Sequence, residues 1–474
     1  MRRMTLAASV AVLTVAPALH AQAAAKPATI SPILIKNATV MTVTRGTLQN
    51  TDLLMAGGKI TQIAKNIAAP AGATVIDGTG KFVMPGIIDP HSHMASDATN
   101  EGSLSVTSMA RIRDVVNPTD IAIYRALAGG VTLINVLHGS ANTIGGQNAV
   151  LKLKWGRNVG DMVMPDAMPG IKFALGENVT RKNSNNIQIP GIATPPRRYP
   201  TTRMGQEEII RDAFTRAKDY KAEWDEYRAK SAKDKTLIAP RRNLELEPLV
   251  EVLEGKRLVH AHSYRADEML MLLNVAAEMG FHIQTLQHGL EGYKIADEIA
   301  KAGTGLSSFA DEWSYKIEAY DAIPYNVAIL MRHGVLATIN SDDDGRARRL
   351  NIDAAKMMRY GGLTEDEALS IITINGAKQL GVEKHTGSLE VGKDADVAVF
   401  NANPLSVYAS VEQTIVDGEI FFDKKKDLAM RDEQVKERAD LEKNEANQAP
   451  ARGGRGGGPG GFGAPPATTP PENR

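Results

Sequence analysis

The chain has 474 residues, enough for two to four domains or for one large barrel with an addition. With 43% hydrophobic and 23% charged residues it is globular in composition, which excludes a disordered or fibrous protein. The 55 basic residues balance the 55 acidic ones, which argues against a dedicated nucleic-acid binder. The absence of cysteine leaves His, Asp, Glu or a modified side chain as the only metal ligands. At the start, Arg2 and Arg3 precede an apolar run from Thr5 to Leu19, broken by Pro17 and followed by Ala21-Gln22-Ala23. This is the pattern of a cleavable signal peptide over residues 1–23, so the expected location is periplasmic or secreted. No later stretch reaches membrane-spanning length, so no membrane span is expected in the mature protein.

Residues 26–84 carry short strand patterns punctuated by Gly57-Gly58 and Asp77-Gly78. The same vocabulary returns over 385–423, where Asp417-Gly418 separates two apolar triplets. Each piece is too small to bury a core alone, so the two are expected to join into one composite β-sandwich. Between them, over 85–384, short apolar strands alternate with helices. A helix is expected from Asn117-Pro118 to Gly129-Gly130, then a strand over Val131–Leu137. Further strands are expected at Ile171–Leu175, Arg257–His262, Phe281–Leu286, Leu306–Phe309 and Val335–Asn340, a helix at Tyr325–Arg332, and a capping box at Thr364-x-x-Glu367. Repeated βα units favour an α/β protein with a (β/α)8 TIM-like barrel, with a doubly wound sheet as the rival. The apolar stripe in Gln206–Lys230 marks an amphipathic helix lying on that barrel. Residues 424–474 are charged and then rich in Gly and Pro, and are expected to be a disordered tail, helical at most in its charged part.

The chemistry concentrates in a few places. His91-Ser92-His93 and His260-Ala261-His262 each put two imidazoles on one face of a strand end, where they can grip a metal ion. With 10 His in the chain, chance alone gives only roughly 0.2 such pairs. Lys172 lies inside the apolar strand Ile171–Leu175 and must pair, snorkel or lose its charge. If neutral, its amine can capture carbon dioxide, and the carbamate could bridge two cations. Glu177 is a rival bridging carboxylate. His288 ends the next strand, His282 at its other end is expected to be structural, and Asp342-Asp343-Asp344 follow the last strand.

Taken together, these residues resemble the amidohydrolase superfamily. The likeness rests on Pro85-Gly86-Ile87-Ile88-Asp89-Pro90-His91-Ser92-His93, the strand lysine, His260, His288, Asp342, and the phrase at residues 387–396. It is closest to the imidazolonepropionase-like and Xaa-dipeptidase branch. The resemblance implies one or two zinc ions, or another divalent transition metal. His91 and His93 would hold the buried ion and His260 and His288 the more exposed one. Lys172 would bridge as its carbamate, and Asp342 would bind metal and shuttle the proton.

The reaction expected is hydrolysis of amide-type C–N bonds in dipeptides, N-acyl amino acids or cyclic amides by a metal-bridging hydroxide. His262 would either contact the substrate carbonyl or support a ligand. A lactonase or organophosphate hydrolase with the same site, and a non-catalytic scaffold on the same fold, are the alternatives. His138, Glu177, Arg203, Tyr264 and Arg265 are candidates for substrate binding, and the Ser140–Gly146 loop for lining the pocket. The partner expected is a small-molecule substrate, with a homo-oligomer as an option.

Overall fold

The computed structural model describes residues 30–181 and 198–448. The expected signal peptide and the Gly- and Pro-rich stretch from residue 449 lie outside the described residues. Among the described residues, no helix is long and apolar enough to cross a membrane.

The chain begins with β1 (Ile33–Met41), β2 (Thr47–Ala56), β3 (Lys59–Ala64), β4 (Thr74–Asp77) and β5 (Phe82–Pro85). Gly57 and Gly58 turn β2 into β3 with positive φ, as their spacing predicts. Asp77-Gly78 does not make a hairpin: β4 and β5 both run parallel to β1.

The central segment supplies β6 (Ile87–Ser92), β7 (Val131–Val136), β8 (Ile144–Gln147), β9 (Ala149–Lys152), β10 (Gly170–Ala174), β11 (Leu258–Ser263), β12 (Thr285–His288), β13 (Gly305–Ser308) and β14 (Ala337–Ile339). Strands β10 to β14 form consecutive parallel pairs, and β6 pairs parallel with β7. They are buried almost throughout, as expected of parallel strands covered by helices on the way back. The continuous stretch β8–β9 links the two arcs, β8 lying antiparallel to β10 and β9 antiparallel to β7. Strand pairing therefore gives arcs of six and three strands, which neither establish nor exclude the closed eight-stranded ring expected from sequence.

Several boundaries shift for physical reasons. The first helix is Ile121–Leu127, capped by the Asp120 carboxylate, which accepts from the Ala122 N–H; Pro118 stays in the preceding turn. Strand β12 starts at Thr285, four residues after the expected Phe281, and His282 is exposed. The Thr364–Glu367 capping box is present. The long helix Arg203–Ser231 buries Ile209, Ile210, Ala213, Phe214 and Ala217, with Phe214 stacked on Phe281 at 3.9 Å.

Finally β15 (Val397–Phe400), β16 (Val411–Val416) and β17 (Glu419–Asp423) return to the first sheet, β15 pairing antiparallel with β5. The two ends of the chain thus share one eight-stranded hydrogen-bonded sheet, around Ile35, Val40, Leu53, Ile60, Val83, Val397 and Ile415. The charged stretch after Asp423 is a helix, Lys424–Gln448. Its sequence is rich in good helix formers, and Asp427 anchors it by accepting from the Tyr124 hydroxyl and pairing with Arg431.

Candidate active site

The ends of four buried strands and one loop bring the chemical residues together. His91 lies in β6 and His93 just beyond it; Lys172 is central in β10; His260 and His262 lie in β11; His288 closes β12; Asp342 follows β14. Ladder register sets Lys172 beside His260. His288 adopts φ +71° and Asp342 φ +47°, left-handed conformations uncommon for non-glycine residues and frequent at functional sites. That turn at His288 breaks the strand's alternation, so both Gln287 and His288 reach the histidine cluster.

Ring orientation is fixed by the outer nitrogens. His93 Nδ1 lies 2.9 Å from the Leu137 carbonyl, which can only accept, so Nδ1 carries the proton. His91 Nδ1 faces Gln287 Oε1 at 3.1 Å in the same way. The Nε2 lone pairs of both rings then point at Asp342 Oδ1, at 3.3 Å from His91 and 3.1 Å from His93. His288 Nε2 lies 3.9 Å from Asp342 Oδ2. Acceptors facing one another at such distances repel unless a cation, proton or metal, sits between them.

Several donor atoms of the cluster have no hydrogen-bond partner although buried: both ring nitrogens of His260 and of His262, and Nδ1 of His288. Each such orphan costs about 1–3 kcal/mol, so a group of them together fits a metal centre better than a structural core. Burial keeps the rings neutral and ligand-ready. It depresses His91 well below the usual imidazole range, with Lys172 and the other histidines adding to the effect, and takes His260 and His288 to about 3. Burial would push Asp342 up, but a proton or cation held at His93, with the positive field from the His288 and Lys172 side, outweighs it and holds the carboxylate at about 2.

Lys172 is fully buried, its Nζ 3.2 Å from His91 Nε2 and 3.4 Å from the His138 carbonyl. Burial lowers its amine to about 8, with Asp342 opposing. His262 packs against His288 at 4.5 Å, and Tyr264 stacks on His288 at 5.1 Å, so both line the same chamber.

Four of the expected site residues are held by other partners, three of them far along the chain. His138 is not free to bind substrate: its Nδ1 donates to the Gly139 carbonyl at 2.8 Å, and its Nε2 accepts from the Glu101 N–H at 2.7 Å. The ring is seated against Gly145 and Gly146, where any side chain would collide with it, so this part of the Ser140–Gly146 loop shapes a support. Arg203 is committed to Glu268 and Glu318. The Glu177 carboxylate faces Lys316 at 3.9 Å. Arg265 pairs with Asp267 at the surface.

Two further residues were missed. Gln287 orients His91, and Asp89, fully buried in β6, accepts from Ser341. Asp89 was visible as a lone charge within the apolar Pro85–Pro90 stretch. Gln287 carried no such signal.

Comparison with known proteins agrees with this architecture. The Amidohydrolase family matches residues 82–421. "Amidohydrolase tasK" of Hapsidospora irregularis is 31% identical over 404 residues; the match covers 78% of this chain but only 40% of that longer protein. Imidazolonepropionase of Alkaliphilus oremlandii is 22% identical, covering 75% of this chain and 85% of that one. The crystal structure of an amidohydrolase from Thermotoga maritima superposes with a TM-score of 0.75 at 34% identity, covering 83% of this chain and all of that one. The chain belongs to the amidohydrolase family.

Proposed function

We propose that the protein is a metal-dependent hydrolase, exported by its N-terminal segment, that cleaves amide-type C–N bonds in dipeptides, N-acyl amino acids or cyclic amides. The observation that carries this reading is the convergence of His91, His93, His288 and Asp342, with Lys172 and the unpartnered His260 and His262 around them. These donors are all nitrogen or oxygen, which suits zinc or a similar divalent transition metal. When bound, such an ion lowers the pKa of a water toward neutrality and polarises a carbonyl.

The chain's own residues have distinct tasks. Asp342, ionised at neutral pH, accepts the proton of the attacking water and returns it to the leaving nitrogen. His262 and Tyr264 stand on the His288 side of the chamber, placed to orient the scissile carbonyl. Lys172, as its carbamate, would add oxygen ligands for the metal from the centre of β10.

The test is a panel of amides and matched esters with wild type and Asp342→Asn, alongside zinc content after supplementation. Amide turnover abolished in the variant with zinc retained supports the reading. Full activity in the variant, ester-only turnover, or less than about one equivalent of zinc would overturn it. Export is checked by sequencing the amino terminus of protein recovered outside the cytoplasm; cleavage near Ala23 is expected.

A further inference from the structure

The seam between the first and last parallel strands has an unusual construction. Strands β6 and β14 belong to separate hydrogen-bonded sheets, yet Asp342, which follows β14, must meet His91 and His93 of β6 within a few tenths of an ångström. Side-chain and backbone bonds centred on one carboxylate span this seam. Asp89, in β6 and fully buried, accepts through Oδ1 from the Ser341 N–H at 3.1 Å and through Oδ2 from the Ser341 hydroxyl at 2.5 Å. Its Oδ1 also accepts from the His91 N–H at 3.4 Å. One residue on, the Asp342 N–H donates to the His91 carbonyl at 3.1 Å. The Ser341 hydroxyl in turn accepts from the Asp343 N–H at 3.3 Å. The carboxylate thus holds both the strand that carries His91 and the loop that carries Asp342.

We propose that Asp89 is a positioning residue: by clamping Ser341 to β6 it holds Asp342 in its left-handed backbone conformation, with Oδ1 between His91 Nε2 and His93 Nε2. Without the clamp the loop relaxes toward an ordinary conformation and Oδ1 leaves that gap. A burial-only role does not account for the two separate bonds to consecutive donor atoms of one residue, directly before the residue whose place matters.

The inference rests on the proposed role of Asp342, so its test includes a readout independent of turnover. Zinc affinity, by competition with a chelator, and amide hydrolysis are measured for Asp89→Ala, Asp89→Asn and Ser341→Ala, each alone and combined with Asp342→Asn. Asp89→Ala is expected to lower kcat by about 100-fold with KM little changed, as a misplaced reacting group does. It should weaken zinc by about 10- to 100-fold, as loss of a supporting partner does. In the Asp342→Asn background it should weaken zinc no further. Asp89→Asn, which keeps the shape and can still accept from the Ser341 N–H, should recover most of the loss. Ser341→Ala removes one of the two Ser341 bonds to Asp89, together with the Asp343 N–H contact, and gives a smaller effect in the same direction, which keeps the test decisive if Asp89→Ala does not fold. Equal losses of zinc affinity in both backgrounds, or no loss in any variant, overturn the positioning role. If no variant and no wild type hydrolyses any amide, the proposed function fails, while the zinc cycle still decides whether Asp89 acts through Asp342.

Discussion

Two buried lysines, twenty residues apart in sequence, show how surroundings decide what an amine does. Lys152, at the end of β9, is met by Asp394 at 2.5 Å, Asp396 at 3.2 Å, and Asp417. Burial alone would lower its pKa, but three carboxylates outweigh that and raise it, so it stays an ammonium. Lys59 and Lys154 complete the neutralisation, on Asp394 and Asp417. Lys172 has a comparable burial and no such escort. Its neighbours are His91, a carbonyl, and the field of Asp342, and its amine falls to about 8. The acidic cluster therefore has a built-in cation and nothing left to bind, whereas the histidine cluster has donors in excess and a nearly neutral lysine. Fold integrity is assigned to the first lysine and chemistry to the second.

The sharpest way to break this comparison is to make both lysines apolar. Lys172→Met should reduce amide turnover by about 1,000-fold or more, because a metal-facing group is lost. Its folding stability should change by no more than about 1 kcal/mol, since an uncompensated buried amine is replaced by an apolar side chain of similar size. Lys152→Met should do the reverse. It leaves Asp396 buried without its cation, at a cost of about 3–5 kcal/mol in denaturant unfolding, while kcat/KM stays within about threefold because the ion partners of Lys152 are Asp394, Asp396 and Asp417 and none of the histidine cluster. If both variants lose activity equally at matched stability, the division of labour is wrong.

A second way sharpens the chemical half. Metal-stripped protein, depleted of carbon dioxide, should regain activity on adding zinc only when bicarbonate is supplied. An amine with a pKa near 8 has about 25 times more neutral form at pH 8.5 than at pH 6.5, so reactivation should be faster at the higher pH. A rate independent of bicarbonate would remove the carbamate from the account.

The smallest effect is the pH dependence of the acidic cluster. Asp394 is depressed by Lys152 and Lys59 against the effect of burial, so its contribution is present above the unfolded carboxylate pKa and lost as pH falls below about 4. Lys152 is raised, so its contribution is full below the unfolded lysine pKa and lost as pH climbs past about 10. Asp396, raised by burial, works against both at neutral pH. The difference in Tm between wild type and Lys152→Met should therefore be widest between about pH 5 and 10. A gap constant across pH 3–11 would show that the pairing contributes nothing.

The parts of this account that were legible in sequence depend on short-range pattern. Two His-x-His pairs and a lysine within apolar strand text announce inward-facing donors because alternation in a strand is local. The Thr364 box and the Gly57-Gly58 and Asp417-Gly418 turns are local for the same reason. What escaped depends on partners far along the chain. Arg203 looks like a free cation until Glu268 and Glu318 are placed beside it, 65 and 115 residues away. His138 looks available until the Glu101 N–H is found on its Nε2. Asp89 gains its meaning from Ser341, 252 residues later. The alternation of Phe281 and Ile283 with polar His282 and Gln284 suggests a strand, yet the parallel ladder to β11 starts only at Thr285.

The most direct test of the central claim is a zinc-loaded crystal structure with anomalous scattering measured at the zinc edge. The account predicts zinc density within about 2.0–2.2 Å of His91 Nε2, His93 Nε2 and an Asp342 oxygen, with branched density beyond Lys172 Nζ where a carbamate bridges a second ion. Zinc bound elsewhere, or these four side chains left without metal at saturating zinc, would contradict it.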